Sequence, residues 1–183
     1  TAPKLLRYLI NHKHWSPFEM ANMCVEIDTT RAISPQILRH RSFSFQEFSQ
    51  RYADTSELGS AVIPHLRRQD QQNRQNSIDD LSSDLVGNYY RRISQLYEDA
   101  EHLYREMVSS GIAKECARSV LPLSTQTRLF MNGTLRSWIH YLQLRTSNGT
   151  QLEHQQIARR IQKIFCDQFP VIGEAVFQEE TPG

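Results

Sequence analysis

Glycine is scarce in this chain, with seven residues in 183 and neither a GxGxxG nor a GxxxxGK[ST] run. The usual backbone cradles for dinucleotides and triphosphates are therefore excluded, and a phosphorylated ligand would have to be held by side chains. Cysteine is scarcer still. Cys24, Cys116 and Cys166 are odd in number, widely spaced and without a CxxC pair. They exclude a disulfide framework and a cysteine-built zinc site, no metal centre is expected, and they fit a reducing cytoplasm. No apolar run approaches the roughly 20 residues that span a bilayer. The opening TAPKLLRYLI lacks the cationic, apolar and small-residue parts of a signal peptide. Twenty-one cations against twenty anions leave a net charge of +1, which argues against bulk attraction to nucleic acid or membrane. Lysine is the last shortage: the cations are 17 Arg and 4 Lys. Arginine is chosen where a planar fork must hold phosphate or carboxylate in a fixed orientation.

What is present suffices for a packed core, with 39% hydrophobic and 22% charged residues. Leu5, Leu6, Leu9 and Ile10 predict a helix at the very start of the chain, so upstream residues are expected to be missing. Ser16-Pro17-Phe18-Glu19 matches a helix capping box, while Met23, Val25 and Ile27 alternate with polar residues as a strand does. Thr29 or Thr30 is expected to cap a short helix containing Ile33, Ile37 and Leu38. Residues 42–52 alternate aromatic and polar side chains and read as a strand or an extended loop. Residues 67–80 are polar apart from Ile78 and read as a solvated loop or a lid.

The strongest helix spans 84–110, with Ile93, Leu96, Tyr97, Ala100, Leu103, Tyr104, Met107 and Val108 on its apolar stripe and Gly111 as its stop. A shorter helix over 113–120 and a strand over 127–131 follow. Thr134 is expected to cap a helix carrying Leu135, Trp138, Ile139 and Leu142. A last helix covers about 150–168, with Ile157, Ile161, Ile164 and Phe165 inward. These elements describe the α+β class, with a central, mostly antiparallel sheet flanked by long helices. No repeat or linker divides the chain, so residues 1–183 read as a single domain.

The densest chemistry is RHRSFSFQEFSQRY, residues 39–52. Arg39, Arg41 and Arg51 converging with the hydroxyl of Ser49 would make a side-chain phosphate site, with Glu47 orienting the guanidinia or accepting from a sugar or base. A basic surface run at a helix end accounts for the same residues, since the dipole there favours cations. Farther on, Arg136 and His140 are four apart and project from one face of a predicted helix.

The 39–52 segment resembles the signature of flavin-dependent thymidylate synthases, in which RHR is followed by seven residues and a serine. Here the seven are Ser42 to Phe48 and the serine is Ser49, with Gln46 where the family usually has Asn. HKHWSPFE at 12–19 resembles the family's H-x-H-x-[ST]-P-F-E stretch. Gln36 stands three residues before Arg39, and ARSVLP (117–122) and the block from Thr134 to Arg145 follow in the family's order. The likeness covers nearly the whole chain.

The resemblance implies an FAD-dependent enzyme that converts dUMP to dTMP, with methylenetetrahydrofolate as carbon donor and NADPH as reductant, releasing tetrahydrofolate. FAD contacts carry over to His14, Ser16, Arg39, His40, Arg41, Glu47, Thr134, Arg136 and His140. The family often has Asn where Thr134 and His140 stand, and both replacements still donate and accept hydrogen bonds. The dUMP contacts carry over to Gln36, Arg39, Glu47, Ser49, Gln50, Arg51, Arg118 and Arg145. Arg145 is assigned the catalytic role, because a guanidinium at the uracil edge stabilises charge developing around N3 and O2 and raises nucleophilicity at C5. Read locally, His140 is a helix histidine with a neighbourly hydrogen bond, Arg118 a helix-end cation and Arg145 a C-terminal cap. Ser49 has no His–Asp partner at a useful spacing and is assigned to binding. The resemblance further implies a homotetramer with shared active sites. The family's N-terminal strand region, whose serine touches FAD, has no counterpart here. Two rivals remain: a degenerate relative that binds without turnover, and a non-enzymatic nucleic-acid module using Arg-rich 39–51 and 67–92 with Phe43, Phe45 and Phe48 as stacking platforms.

Overall fold

The computed structural model describes residues 2–53 and 55–177. In chain order the helices and strands are α1 (Ala2–Asn11), β1 (Asn22–Thr30), α2 (Ser34–Leu38), β2 (Ser44–Glu47), β3 (Arg68–Gln69), β4 (Ser77–Ile78), α3 (Ser83–Ser109), α4 (Lys114–Ala117), β5 (Gln126–Thr134), α5 (Leu135–Arg145), α6 (Leu152–Gln168) and α7 (Pro170–Phe177). Single 3-10 turns occupy Ser16–Glu19, Thr55–Leu58 and Arg118–Val120. The class is α+β. Three strands pair in the order β1–β5–β2, and β3 and β4 form a separate antiparallel ribbon. β1 buries Met23, Val25 and Ile27 and exposes the residues between them, the period-2 pattern its sequence announces. Among the described residues, no helix is long and apolar enough to cross a membrane.

The chain forms two compact units. The first comprises the chain up to Val25, His40–Phe45, and the chain from Met131 onward. Its core is built on α5, where Trp138, Tyr141 and Leu142 have no solvent exposure, together with Phe165 of α6. α6 packs against both α5 and α7, and α7 against α1. The Trp138 indole N–H donates to the Met23 carbonyl at 2.8 Å, which ties α5 to the strand while keeping a buried donor satisfied. Gly133 is required sterically, because a Cβ there would collide with the Phe43 ring.

The second unit comprises Glu26–Arg39 and Gln46–Phe130. Ile27, Ile33, Ile37 and Leu129 supply its core, and α3 packs against α4 and the turn at Arg118–Val120. Ser82 caps α3 by accepting from the Leu85 N–H. Gly111, at φ +87°, sits just past the end of that helix in the left-handed conformation that glycine adopts without strain.

Several local expectations are corrected. Ser16 is not a cap: Trp15 precedes a single 3-10 turn, with no side-chain hydrogen bond closing it. Thr30 lies inside β1, and α2 starts after Ile33 without a side-chain cap. The 67–80 loop is a two-residue-per-strand ribbon, fixed by Arg68 on the Asp80 carboxylate at 2.6 Å and by Asp70 accepting from the Gln72 and Asn73 amides. Residues 42–52 hold only the four-residue β2. The stripe of α3 is wider than the surface it covers, since Leu96 and Leu103 are exposed, as is Ile164 of α6. α7 goes unpredicted because its eight residues give too short a window for a helical period to register.

Candidate active site

In the first unit, β5 runs directly into α5 through Thr134, whose hydroxyl accepts from the Ser137 N–H at 3.2 Å and caps the helix. That cap sets the rotation of α5, so Arg136, His140 and Gln143 share one face. They line a cavity of about 480 Å³ with Trp15, Glu19, Ser42, Ser137 and Ile139. Arg136 is ion-paired with Glu19 of the 3-10 turn, 117 positions away. The Thr134 hydroxyl is engaged in the cap and also donates to Ser137 Oγ, so its side chain works within the helix start. Ser16 and His14 are exposed beside the cavity-lining Trp15, and the His14 ring meets Tyr8 edge-on at 6.2 Å.

The same unit joins the RHR segment to the far end of α5. Arg145 Nε donates to His40 Nε2 at 2.9 Å, across 105 positions. His40 Nε2 must accept, so its ring is neutral with the proton on Nδ1. Burial pushes His40 down to about 4, helped by the positive Arg145 and then by His140. Behind it stand Tyr141, whose ring meets His40 edge-on at 4.8 Å, and His154, fully buried and 3.1 Å from the Tyr141 hydroxyl. His154 is likewise lowered to about 4 by burial, then by Arg145 and His40, and burial raises the Tyr141 phenol. A guanidinium with its Nε fixed this way has a defined plane, which suits it to face a flat ring. Arg41 is exposed in the turn after His40.

In the second unit, Glu47 closes β2, and three side chains meet on its carboxylate. Its Oε1 accepts from Ser34 Oγ at 2.5 Å and Thr127 Oγ1 at 3.1 Å, and is ion-paired with Arg31 Nη1 at 2.7 Å. Arg39 follows α2, on which Gln36 is half-buried. Ser49 begins a tight turn by accepting from the Tyr52 amide. Gln50 is buried, and its side-chain nitrogen has no partner among the described residues. Gln50 lines a second cavity, of about 370 Å³, with Arg31, Glu115, Arg118 and Thr125. Arg51 pairs with Glu115 at 3.1 Å at the surface. The structure thus brings Gln50 and Arg118 to one cavity, Arg136 and His140 to another, and His40 to Arg145.

Comparison with known proteins decides the family. A family model described as thymidylate synthase complementing protein matches residues 1–171. The chain belongs to the flavin-dependent thymidylate synthase family. It is 51% identical over 177 residues to a protein of Paramecium bursaria Chlorella virus 1 named probable flavin-dependent thymidylate synthase, covering 96% of this chain and 81% of that one. Against the flavin-dependent thymidylate synthase of Synechocystis sp. the identity is 51% over 173 residues, covering 94% and 79%. Among solved structures, the UMP/dUMP methylase PolB from Streptomyces cacaoi, bound with 5-Br UMP, superposes with a TM-score of 0.85 at 31% identity, covering 94% of this chain and 81% of that one.

Site residues that the sequence reading of this thymidylate synthase relative passed over are Trp15, Glu19, Arg31, Ser34, Thr127, Tyr141, Gln143 and His154. Glu19 stands inside the HKHWSPFE stretch, and Gln143 lies seven residues after Arg136, so both carried a signal. Ser34, Thr127 and His154 look like ordinary small or helical residues, and their partners lie 13, 80 and 13 positions away.

Proposed function

We propose that this protein is an FAD-dependent thymidylate synthase that methylates dUMP to dTMP, taking the carbon from methylenetetrahydrofolate and the reducing equivalents from NADPH and releasing tetrahydrofolate. The observation that carries the reading is the Arg145–His40 hydrogen bond, which holds an arginine from the end of α5 against the middle residue of the RHR motif. Residues 1–183 act as one domain of the family, in keeping with the unbroken family match over 1–171.

The residues at the 480 Å³ cavity fit a flavin: Trp15 and Ile139 offer apolar surface for a ring system, while Arg136 and His140 offer donors for phosphate or carbonyl oxygens. His14, Ser16, Arg39, His40, Arg41, Glu47 and Thr134 complete the set that would hold FAD. Bound FAD supplies the hydride chemistry that the transferred carbon requires. Gln36, Arg39, Glu47, Ser49, Gln50, Arg51, Arg118 and Arg145 would hold dUMP. Gln50 contributes a buried side-chain donor in want of an acceptor, and Arg118 a guanidinium in the same cavity. Arg51 would exchange its exposed partner Glu115 for phosphate, a low-cost trade because such surface pairs contribute little. Arg145 stabilises negative charge at the uracil edge, with its plane fixed by His40, so no reorganisation is needed as charge develops.

The active enzyme is a homotetramer with sites shared between subunits. Association is favoured by the exposed apolar residues of α3, where Leu85, Tyr89, Leu96 and Leu103 recur at helical spacing. It works in the reducing cytoplasm, where three free cysteines stay reduced.

The test is anaerobic turnover with dUMP, methylenetetrahydrofolate and NADPH, identifying the folate released. Formation of dTMP with tetrahydrofolate, by a yellow protein absorbing near ~450 nm, is the expected result. A colourless protein without turnover, and with steep salt-dependent affinity for oligonucleotides, would instead favour the nucleic-acid module.

A further inference from the structure

The second unit gathers three side chains around Glu47 that the family resemblance assigns no role. Arg31 just follows β1, Ser34 opens α2 and Thr127 lies in β5. Arg31 is ion-paired with one Glu47 oxygen at 2.7 Å, and Ser34 and Thr127 donate to that same oxygen at 2.5 and 3.1 Å. The two hydroxyls are shielded from water, Ser34 at 0% and Thr127 at 1% exposure. Buried hydroxyls need partners, and a nearby backbone carbonyl would satisfy each at less cost than a carboxylate drawn out of water. An oxygen that accepts from two hydroxyls, one for each lone pair, beside a paired guanidinium is restrained in direction by all three. The same Arg31 also lines the 370 Å³ cavity with Gln50 and Arg118, so it links the held carboxylate to a wall where a buried amide nitrogen has no acceptor among the described residues. Glu115, paired with Arg51, stands on that wall too.

We propose that Arg31, Ser34 and Thr127 are positioning residues that fix the Glu47 carboxylate in the orientation the nucleotide site requires. The inference rests on the reading of Glu47 as a dUMP contact. Its three donors come from three separate elements, so the geometry of Glu47 reports the folded arrangement of β1, α2, β2 and β5 at that point. Hydrogen bonds to an ionised group are about twice as strong as neutral ones, so removing a single donor loosens the carboxylate measurably.

The experiment compares Thr127→Val with Thr127→Ser, and Ser34→Ala with the unaltered enzyme, measuring KM for dUMP, kcat, flavin content and melting temperature. Thr127→Val matches threonine in shape and lacks the donor; serine retains it. The expected result is a KM for dUMP raised about 10-fold in Thr127→Val and Ser34→Ala, with kcat per bound flavin changed less and Thr127→Ser within about 2-fold of the parent. A purely structural role would lower melting temperature or active fraction and leave KM in place. Unchanged KM in Thr127→Val alongside a parent enzyme that turns over overturns the proposal. A parent enzyme that makes no dTMP overturns the functional reading itself. Should Ser34→Ala fail to fold, the Thr127 pair decides alone.

Discussion

The activating role proposed for Arg145 rests on its neighbours. An arginine in the last turn of a helix is ordinarily a dipole-completing cation, and its position at the end of α5 satisfies that description. Its Nε is nonetheless given to His40, a ring that burial keeps neutral and hence able to accept. Lysine in its place would have a single nitrogen and could not hold the imidazole and present a planar fork together. Arg145→Ala should therefore retain FAD while dTMP formation falls at least about 100-fold, the scale on which loss of one preorganised donor is felt. Flavin absorbance and single-turnover product formation measure the two effects separately. A variant that keeps turnover removes the activation role. The RHR motif marks His40 and the block from Thr134 to Arg145 marks Arg145; their pairing required the fold, because 105 positions separate them.

Helix α5 supplies Arg136, His140 and Gln143 to the larger cavity and Arg145 to His40, and its start is capped by a threonine. Thr134 was legible as a cap from its place before Leu135, and its hydroxyl does accept from the Ser137 amide. Thr134→Ala should lower stability by about 1 kcal/mol, seen as a fall of a few degrees in the melting temperature of flavin-free protein, and Thr134→Ser should restore it. If the flavin-free protein melts unchanged, the hydroxyl matters only to a ligand. Other elements were less readable. The α3 pattern located its ends within a residue and its glycine stop, yet left open which apolar residues the unit would cover. Periodicity reports the width of an apolar face and says nothing of what lies against it. The 67–80 stretch looked like a loop because its ribbon is held by Arg68–Asp80 and by Asp70 turn bonds, interactions invisible to a hydrophobic pattern.

For the molecule as a whole, half-buried His40 and buried His154 set an acid limit. His40 and His154 titrate near 4 when folded and near 6.5 when exposed. Between these values the unfolded chain binds protons that the folded chain refuses, so this contribution to stability is complete above pH 6.5 and is lost as pH falls toward 4. Each histidine contributes a slope of up to about 1.4 kcal/mol per pH unit in that window, and His154→Gln should flatten it. Melting curves from pH 4 to 7 check this; an equal slope in the variant would mean that other groups govern acid unfolding. The amino-acid sequence by itself determined the class of fold, the helix of 27 residues, the alternation of β1 and the family, because these rest on local periodicity and on ordered motifs. That Glu19 faces Arg136, that Arg31, Ser34 and Thr127 meet on Glu47 and that Arg145 leans on His40 emerges with folding. Hydrogen bonds and ion pairs act over about 3 Å whatever the separation along the chain, and residues far apart in sequence carry no local mark of the partner that folding will supply.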